Sequence, residues 1–200
     1  ILLVLPTINN HIDDPDMIVY FNHDEGYLMD LIWSYYSGEK RDSFQGNFDY
    51  GLEMVYLADL ARFVLSRFVE FTPGTFTLIM RWTHLFFWVG ALIALWRLVN
   101  WYFGSQWIAV IAVLMLGVRP AFDHITNDTM PDPIVLFFLI IGLSYTLKIV
   151  EDPIWLNIII AITCASLAFL VKYFGLFLLP SIIVAVYLGE KFRGKELFTS

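Results

Sequence analysis

The chain is poor in charge, and in basic charge above all. Only 16% of its 200 residues are charged, whereas an ordinary soluble domain carries about 25%. Acidic residues outnumber basic ones by 19 to 12, which leaves a formal net charge of -7. Binding of nucleic acid depends on clustered lysine and arginine that neutralise phosphates. We therefore expect no nucleic-acid partner.

Cysteine is nearly absent. The single cysteine, Cys164, lies inside an apolar run and excludes both an internal disulfide framework and a thiolate metal site. An oxygen- and nitrogen-based metal site stays open only in the acidic stretch near the N-terminus, which contains His11, Asp13, Asp14 and Asp16. This stretch also fits a solvated turn. We expect no metal and no cofactor.

Apolar residues are what the chain has in excess. Hydrophobic residues make up 58% and aromatic residues 18% of the sequence, and the mean hydropathy is +0.68. A soluble domain of this size could not bury so much apolar surface in one core, so part of it must face lipid. The composition predicts an integral membrane protein.

The apolar runs define the organisation of the chain. Residues 1–8 resemble the end of a first span whose beginning lies upstream, residues 9–74 form a polar outer loop, and residues 75–190 contain the remaining spans. About 20 apolar residues cross a bilayer as a helix. We expect residues 1–200 to be the N-terminal part of a larger membrane module. Five complete spans are predicted, at Thr75–Trp96, Trp101–Val118, 133–148, Ile154–Val171 and Tyr173–Leu188.

Two further helices are predicted within the outer loop. From Asp24 to Tyr36, apolar side chains recur at helical spacing. From Tyr50 to Val69, one face is apolar, but Glu53 and Arg67 prevent a clean span. Both segments are typical of amphipathic helices that lie at the membrane interface. The fold class is therefore an all-α polytopic membrane protein.

The distribution of basic residues predicts the orientation. Arg97, Lys148 and the cluster from Lys191 to Lys195 follow predicted spans, and the positive-inside rule puts such residues on the cytoplasmic face. Alternate crossings then put three polar segments together on the opposite face. These are the stretch 23–25, the loop 119–132 and the turn around Lys172. Arg119 lies on the outer face in this arrangement and is an exception to the rule.

The polar stretch from Tyr20 to Tyr27 is the first candidate for chemistry. Asp24 and Glu25 are adjacent, and consecutive helical residues point about 100° apart, so one carboxylate can face a cavity while the other holds a partner. A carboxylate beside apolar walls has a basicity suited to deprotonating a hydroxyl. His23 would be a hydrogen-bond partner. The same acids would equally suit the start of an interfacial helix.

Two outer-face residues have similar alternatives. Asp132 stands between prolines at the start of a span, where an acid is ordinary helix-start chemistry. Lys172 interrupts a long apolar stretch, and a cation at that depth is costly unless it reaches the interface or meets an anion. A turn at the interface or a lipid phosphate would satisfy it.

Four motifs in order resemble a known family. They are His23-Asp24-Glu25-Gly26-Tyr27, Asp49-Tyr50-Gly51, Asn127-Asp128-Thr129-Met130-Pro131-Asp132 and Leu170-Val171-Lys172-Tyr173-Phe174-Gly175. Their order and spacing resemble the polyprenyl-phosphate-dependent glycosyltransferases of the membrane-embedded C superfamily, which includes protein O-mannosyltransferases and lipid A aminoarabinose transferases. In that family an acidic pair in the first outer loop is followed by another acid in the next outer loop. The matching positions are Asp24, Glu25 and Asp132.

The resemblance implies an inverting sugar transfer at the outer membrane face. The donor would be a lipid-linked sugar, and the acceptor a hydroxyl of a protein, lipid or glycan. Asp24 is expected to be the base, with Glu25 and Asp132 orienting the acceptor or the base. Lys172, or else Arg119, would stabilise the leaving phosphate, and His23 and Tyr27 would help to bind substrate.

Two other classes of function stay open. A secondary transporter would carry ionisable groups in the middle of several spans, whereas here Thr75–Trp96 holds only Arg81 and His84, and residues 134–147 hold no charge. A lipid-binding membrane protein without catalysis is the other alternative. We expect a bacterial or archaeal plasma membrane rather than the endoplasmic reticulum, with the active site on the extracytoplasmic side.

Overall fold

The structure is a computed structural model that describes Leu60, Phe63, Val64, Arg67, residues 73–117 and residues 132–199. Side chains at 73, 74, 76, 77 and 192–199 lie outside that description. Within the described ranges all regular structure is helical, as the composition predicts. The helices are α1 (Pro73–Phe103), α2 (Gln106–Gly117), α3 (Asp132–Glu151), α4 (Trp155–Val171) and α5 (Leu178–Thr199), and a 3-10 turn (Tyr173–Phe177) precedes α5.

Three of these helices are long and apolar enough to cross a membrane. The qualifying segments are Leu78–Phe103, Asp132–Glu151 and Tyr173–Lys191, with 26, 20 and 19 residues. Helices α2 and α4 are apolar but shorter, with 12 and 17 residues. The five helices follow the order of the five predicted spans, but three of them qualify as spans by length and composition. The predicted start of the second span at Trp101 is wrong, because α1 continues to Phe103 and α2 begins at Gln106. The predicted first span (1–8) and the first interfacial helix (24–36) lie outside the described residues.

The second predicted interfacial helix is described at only a few positions. Leu60, Phe63 and Val64 are helical, and all three side chains are exposed. An interfacial helix would turn such residues towards the lipid. The rest of the predicted segment, from 50 to 69, is outside the description apart from Arg67.

Large apolar side chains cover the outside of the bundle. Their exposure in water would be unfavourable, but lipid tails are as apolar as the side chains themselves. The outward-facing residues occur on every helix and include Phe86, Trp107, Met115, Trp155, Phe177 and Ile183. Together with the three long helices, they mark the chain as an integral membrane protein.

Helix α1 is longer than the sequence pattern predicts. It continues past Trp96, the predicted end of the span, and past Arg97, and ends at Phe103. Arg97 is exposed on the helix surface, where its long side chain can extend towards water without breaking the helix. Gly104 follows the last helical residue and stops the helix, because its φ of 64° lies in the left-handed region that favours glycine. The Gly104 N–H donates to the Asn100 carbonyl at 2.9 Å.

Helix α3 packs against α1, α4 and α5. On the α1 side, the Phe87 and Phe137 rings meet edge to face with centroids 5.3 Å apart. On the other side, α3, α4 and α5 share a hydrophobic cluster in which small alanines allow close approach of the helices. The cluster consists of Ile149, Ala161, Ala165, Leu178, Ile182 and Ala185.

The packing fixes which ends of the helices lie together. The Phe137 ring lies against the α1 backbone at Gly90, where an added Cβ would be 2.8 Å from a ring carbon. Further along both helices, Arg97 and Lys148 line one groove, so α1 and α3 run in the same direction. The end of α4 lies beside the start of α3, since Ala168 and Val171 cluster with Ile134 and Val135. The starts of α1 and α3 and the end of α4 therefore share one end of the bundle, which we call the Asp132 end. The opposite end is called the Lys148 end.

Candidate active site

The candidate site begins with Asp132, the first residue of α3. An acid in the first turn of a helix interacts favourably with the positive end of the helix dipole. Pro133 follows it and is buried, and proline suits this position because the first helical N–H has no partner within the helix. The Asp132 side chain is 52% exposed. The local sequence therefore presents a carboxylate at the Asp132 end without burying it.

Lys172 lies where the chain leaves α4. The helix ends at Val171, and Lys172 is extended, with φ -157° and ψ 145°. Its backbone N–H donates to the Ala168 carbonyl at 2.8 Å, which satisfies one of the last carbonyls of α4. Five residues of 3-10 helix follow before α5 begins. The predicted interruption at this lysine is thus a real break between two helices.

The two residues meet across the bundle. Lys172 Nζ donates to Asp132 Oδ1 at 2.8 Å, and the Lys172 side chain is only 19% exposed. The same ammonium lies 5.6 Å from the centroid of the Phe174 ring. The sequence predicts that both residues lie on one side of the membrane, and the structure shows that they form a direct ion pair. Among the described residues, these are the candidate site residues that it brings together.

This ion pair contributes little to folding. Half-exposed ion pairs contribute about 0–1 kcal/mol because water screens them and ordering the side chains costs entropy. An ionisable residue at the edge of a membrane span is a candidate for a functional role. A lysine ammonium can bind an anion such as phosphate as a point charge.

The 3-10 turn holds Lys172 in place by folding back on α4. An added Cβ at Gly175 would collide with three backbone atoms of α4, the Phe169 nitrogen, the Ala165 carbonyl oxygen and the Ala168 carbonyl carbon. The Gly175 N–H donates to the Lys172 carbonyl at 3.2 Å. Only glycine permits this approach, so the position of Lys172 depends on it.

An apolar groove lies near Lys172. It has a volume of about 290 Å³ and lies between α3 and the 3-10 turn. Phe174, whose ring lies near the Lys172 ammonium, forms part of its wall. The Lys172 ammonium therefore lies near the Phe174 wall of an apolar groove. Its lining residues are Leu139, Ile140, Leu143, Phe174, Phe177 and Leu178.

Two ionisable residues of α1 lie at the same end of the bundle. Arg81 is 4% and His84 0% exposed. His84 precedes Gly90 by about 9 Å along the helix, and Asp132 precedes Phe137 by about 7.5 Å, so they lie at similar heights. No role for these two residues is predicted from the sequence. Arg81, His84 and the buried Trp88 recur at helical spacing. This pattern indicates that the two ionisable side chains share the buried face of α1.

The other predicted site residues are Asp24, Glu25, His23, Tyr27 and Arg119, and all five lie outside the described residues. The possible metal ligands near the N-terminus, from His11 to Asp16, lie outside them as well. Within the part of the chain that the structure describes, no three histidine, cysteine or acidic side chains come together as a metal site.

Comparison with known proteins identifies the family. A family model described as dolichyl-phosphate-mannose-protein mannosyltransferase matches residues 60–199, which is well over half of the chain. The chain belongs to this family. No curated protein and no solved structure matches it.

Membership of the mannosyltransferase family establishes the general class of the protein. It is a membrane-embedded glycosyltransferase, in agreement with the resemblance drawn from the motifs. The matched residues include Asp132, Lys172 and Gly175, whereas the acidic stretch around Asp24 precedes them.

We predict that Gly175→Ala destabilises this mannosyltransferase-family chain by about 1–3 kcal/mol, because overpacking against rigid backbone forces the turn away from α4. Thermal unfolding in detergent measures the effect. Gly117→Ala is the matched control, since a Cβ there meets no atom within 4 Å. Equal unfolding temperatures for the two variants would show that the close contact at Gly175 does not hold the turn.

Proposed function

We propose that the protein transfers a sugar from a polyprenyl-phosphate donor to an acceptor hydroxyl, with inversion at the anomeric carbon. The observation that carries the proposal is the Lys172–Asp132 ion pair beside the apolar groove. A lipid-linked sugar phosphate has the same two parts, an anionic head and an apolar tail. The family supports glycosyl transfer, and the arrangement of charge and groove supports this class of donor.

The donor would bind with its phosphate at Lys172. Lys172 would supply the positive charge that an anionic head needs, as lysine does at other phosphate sites. The first isoprene units would follow the groove along Phe174 and Leu139 towards Leu143. Asp132 would position the Lys172 ammonium, a role that its 2.8 Å contact favours over direct contact with the acceptor.

The reaction would be an in-line displacement. The acceptor oxygen forms a bond to the anomeric carbon while the bond from that carbon to the phosphate oxygen breaks. The acceptor proton passes to a carboxylate, and the bonding electrons leave with the phosphate, whose negative charge rises. Lys172 would stabilise that charge, with Arg119 as a second candidate. The buried Arg81 would add positive charge at the same end of the bundle.

Asp24 is our candidate for the base. A base must face the anomeric carbon from the side opposite the leaving phosphate. The family pattern supports an acid in the first outer loop for this position, with Glu25 and His23 as its neighbours and Tyr27 as a substrate contact. These assignments continue the sequence-based hypothesis.

The acceptor and the membrane side complete the proposal. The family description names a protein as the mannose acceptor and dolichyl phosphate as the carrier, which favours a protein hydroxyl and mannose here. A lipid or glycan acceptor stays an alternative. The Asp132 end would face the extracytoplasmic side, since Arg97 and Lys148 cluster at the opposite end, and we retain the bacterial or archaeal plasma membrane as the expected location.

Lys172→Gln should lower kcat/KM for the lipid-linked donor by about a hundredfold, the usual cost of removing one stabilising group at a developing negative charge. Lys172→Arg should retain part of the activity, because it keeps the charge. The measurement is transfer of radiolabelled sugar from polyprenyl phosphate by the full-length protein. Lys191→Gln, an exposed cation of α5, is the control. If Lys172→Gln and Lys191→Gln were equally active, Lys172 would have no part in transfer.

Asp24→Asn should abolish transfer but leave binding of the donor intact, because the amide cannot accept the proton. Donor binding and sugar transfer are measured on the same preparation. Asp152→Asn is the matched control, an exposed acid that follows α3 at the Lys148 end. Full activity of Asp24→Asn would rule out this residue as the base. Donor binding without any transfer by the native protein would instead favour a non-catalytic lipid-binding protein.

A further inference from the structure

A second groove lies between α1 and α3 at the Lys148 end. We call it the α1–α3 groove, and its volume is about 540 Å³. Asp132 and Lys148 are separated by about 24 Å along α3, so the groove is distinct from the proposed donor site. It is lined by Gly90, Ile93, Ala94, Arg97, Leu98 and Trp101 of α1 and by Phe137, Ile141, Ser144, Tyr145 and Lys148 of α3.

Two charged side chains line this groove, and both are cations. Arg97 comes from α1 and Lys148 from α3, and no carboxylate lines the groove. Among the described residues neither cation forms an ion pair. The Lys148 ammonium lies 4.6 Å from the centroid of the Tyr145 ring, a contact that orients it without neutralising its charge. The groove therefore offers two cations to an anion.

The lining also contains the hydroxyl groups of Ser144 and Tyr145. Ser144 Oγ already donates to the Ile140 carbonyl at 2.7 Å, within α3. Arg97 and Lys148 are the charged groups that would bind an anionic head. A guanidinium and an ammonium on neighbouring helices can contact different oxygens of one phosphate.

The rest of the groove is apolar and follows the helix axis. From Lys148 to Phe137 it extends about 16 Å, the rise of the α3 residues between them. At its far end the Phe137 ring lies against α1 at Gly90. Trp101, which is 39% exposed, stands beside Arg97 at the end of α1, where indole side chains favour the membrane–water interface.

We propose that the α1–α3 groove binds an anionic phospholipid. Its phosphate would contact Arg97 and Lys148, and one acyl chain would lie along the apolar wall towards Phe137. Charge complementarity selects an anionic head, and the long apolar wall selects a lipid over a free phosphate. Basic sites between membrane helices are suited to such headgroups. The bound lipid would belong to the bilayer leaflet opposite the proposed donor site, and this inference does not depend on the proposed transfer reaction.

The test uses the full-length protein in vesicles that contain phosphatidylcholine and a trace of spin-labelled lipid. Electron spin resonance compares the motionally restricted fraction for labelled phosphatidylglycerol and labelled phosphatidylcholine. The native protein should prefer phosphatidylglycerol. Each of Arg97→Gln and Lys148→Gln should lower that preference by about fivefold, the affinity equivalent of about 1 kcal/mol for a basic side chain near an anionic head.

Lys191→Gln is the matched control. Lys191 is an exposed cation at the same end of the bundle, because Gly189 of α5 packs against Ile149 of α3, but it does not line the groove. Its substitution should leave the preference unchanged, and unfolding temperatures show whether each variant is folded. Lys148→Arg, which keeps the charge, should retain the preference.

Three outcomes would overturn the proposal. An unchanged preference in the Arg97→Gln, Lys148→Gln double variant would show that the groove does not bind the lipid. An equal loss in Lys191→Gln would show diffuse surface attraction instead of a site. Displacement of labelled phosphatidylglycerol by millimolar inorganic phosphate would identify free phosphate as the ligand.

Discussion

The arrangement of the bundle depends on the burial of α3 between α1, α4 and α5. Small residues let these helices approach closely, as at Gly142, where an added Cβ would lie 2.7 Å from Leu178 and 3.2 Å from Cys164. Because lipid competes equally well for apolar side chains, such fit is the main source of association between membrane helices. Once α3 is fixed, its two ends hold charged groups at opposite ends of the bundle, Asp132 at one and Lys148 at the other.

The candidate active site follows from how α4 ends. Helix α4 ends at Val171, and Lys172, extended and followed by the 3-10 turn, reaches Asp132. The contact of Gly175 with the α4 backbone maintains that geometry. The ion pair itself adds little stability. The tight turn therefore serves mainly to place a cation at the edge of the membrane. Binding of an anionic substrate would explain this arrangement.

The elements that depend on local chemistry could be predicted from the sequence. The end of α4 at Val171 and the start of α3 near Asp132 follow from a cation in an apolar run and from the flanking prolines. The ion pair itself depends on how α3 and α4 pack side by side, which no local pattern contains. Burial of Arg81 and His84 likewise depends on their neighbours in space. Helix α1 extended past its predicted end because a long arginine side chain can reach water from a continuous helix.

The helix order and the family match agree on a membrane glycosyltransferase, and the central claim about its mechanism concerns the Lys172 cation. The most direct test compares binding of sugar-free polyprenyl phosphate and of uncharged polyprenol to the native full-length protein and to Lys172→Gln. The account predicts that the substitution weakens binding of the phosphate at least tenfold, the equivalent of about 1.4 kcal/mol, and leaves binding of polyprenol unchanged. Equal affinity of both proteins for polyprenyl phosphate would contradict it.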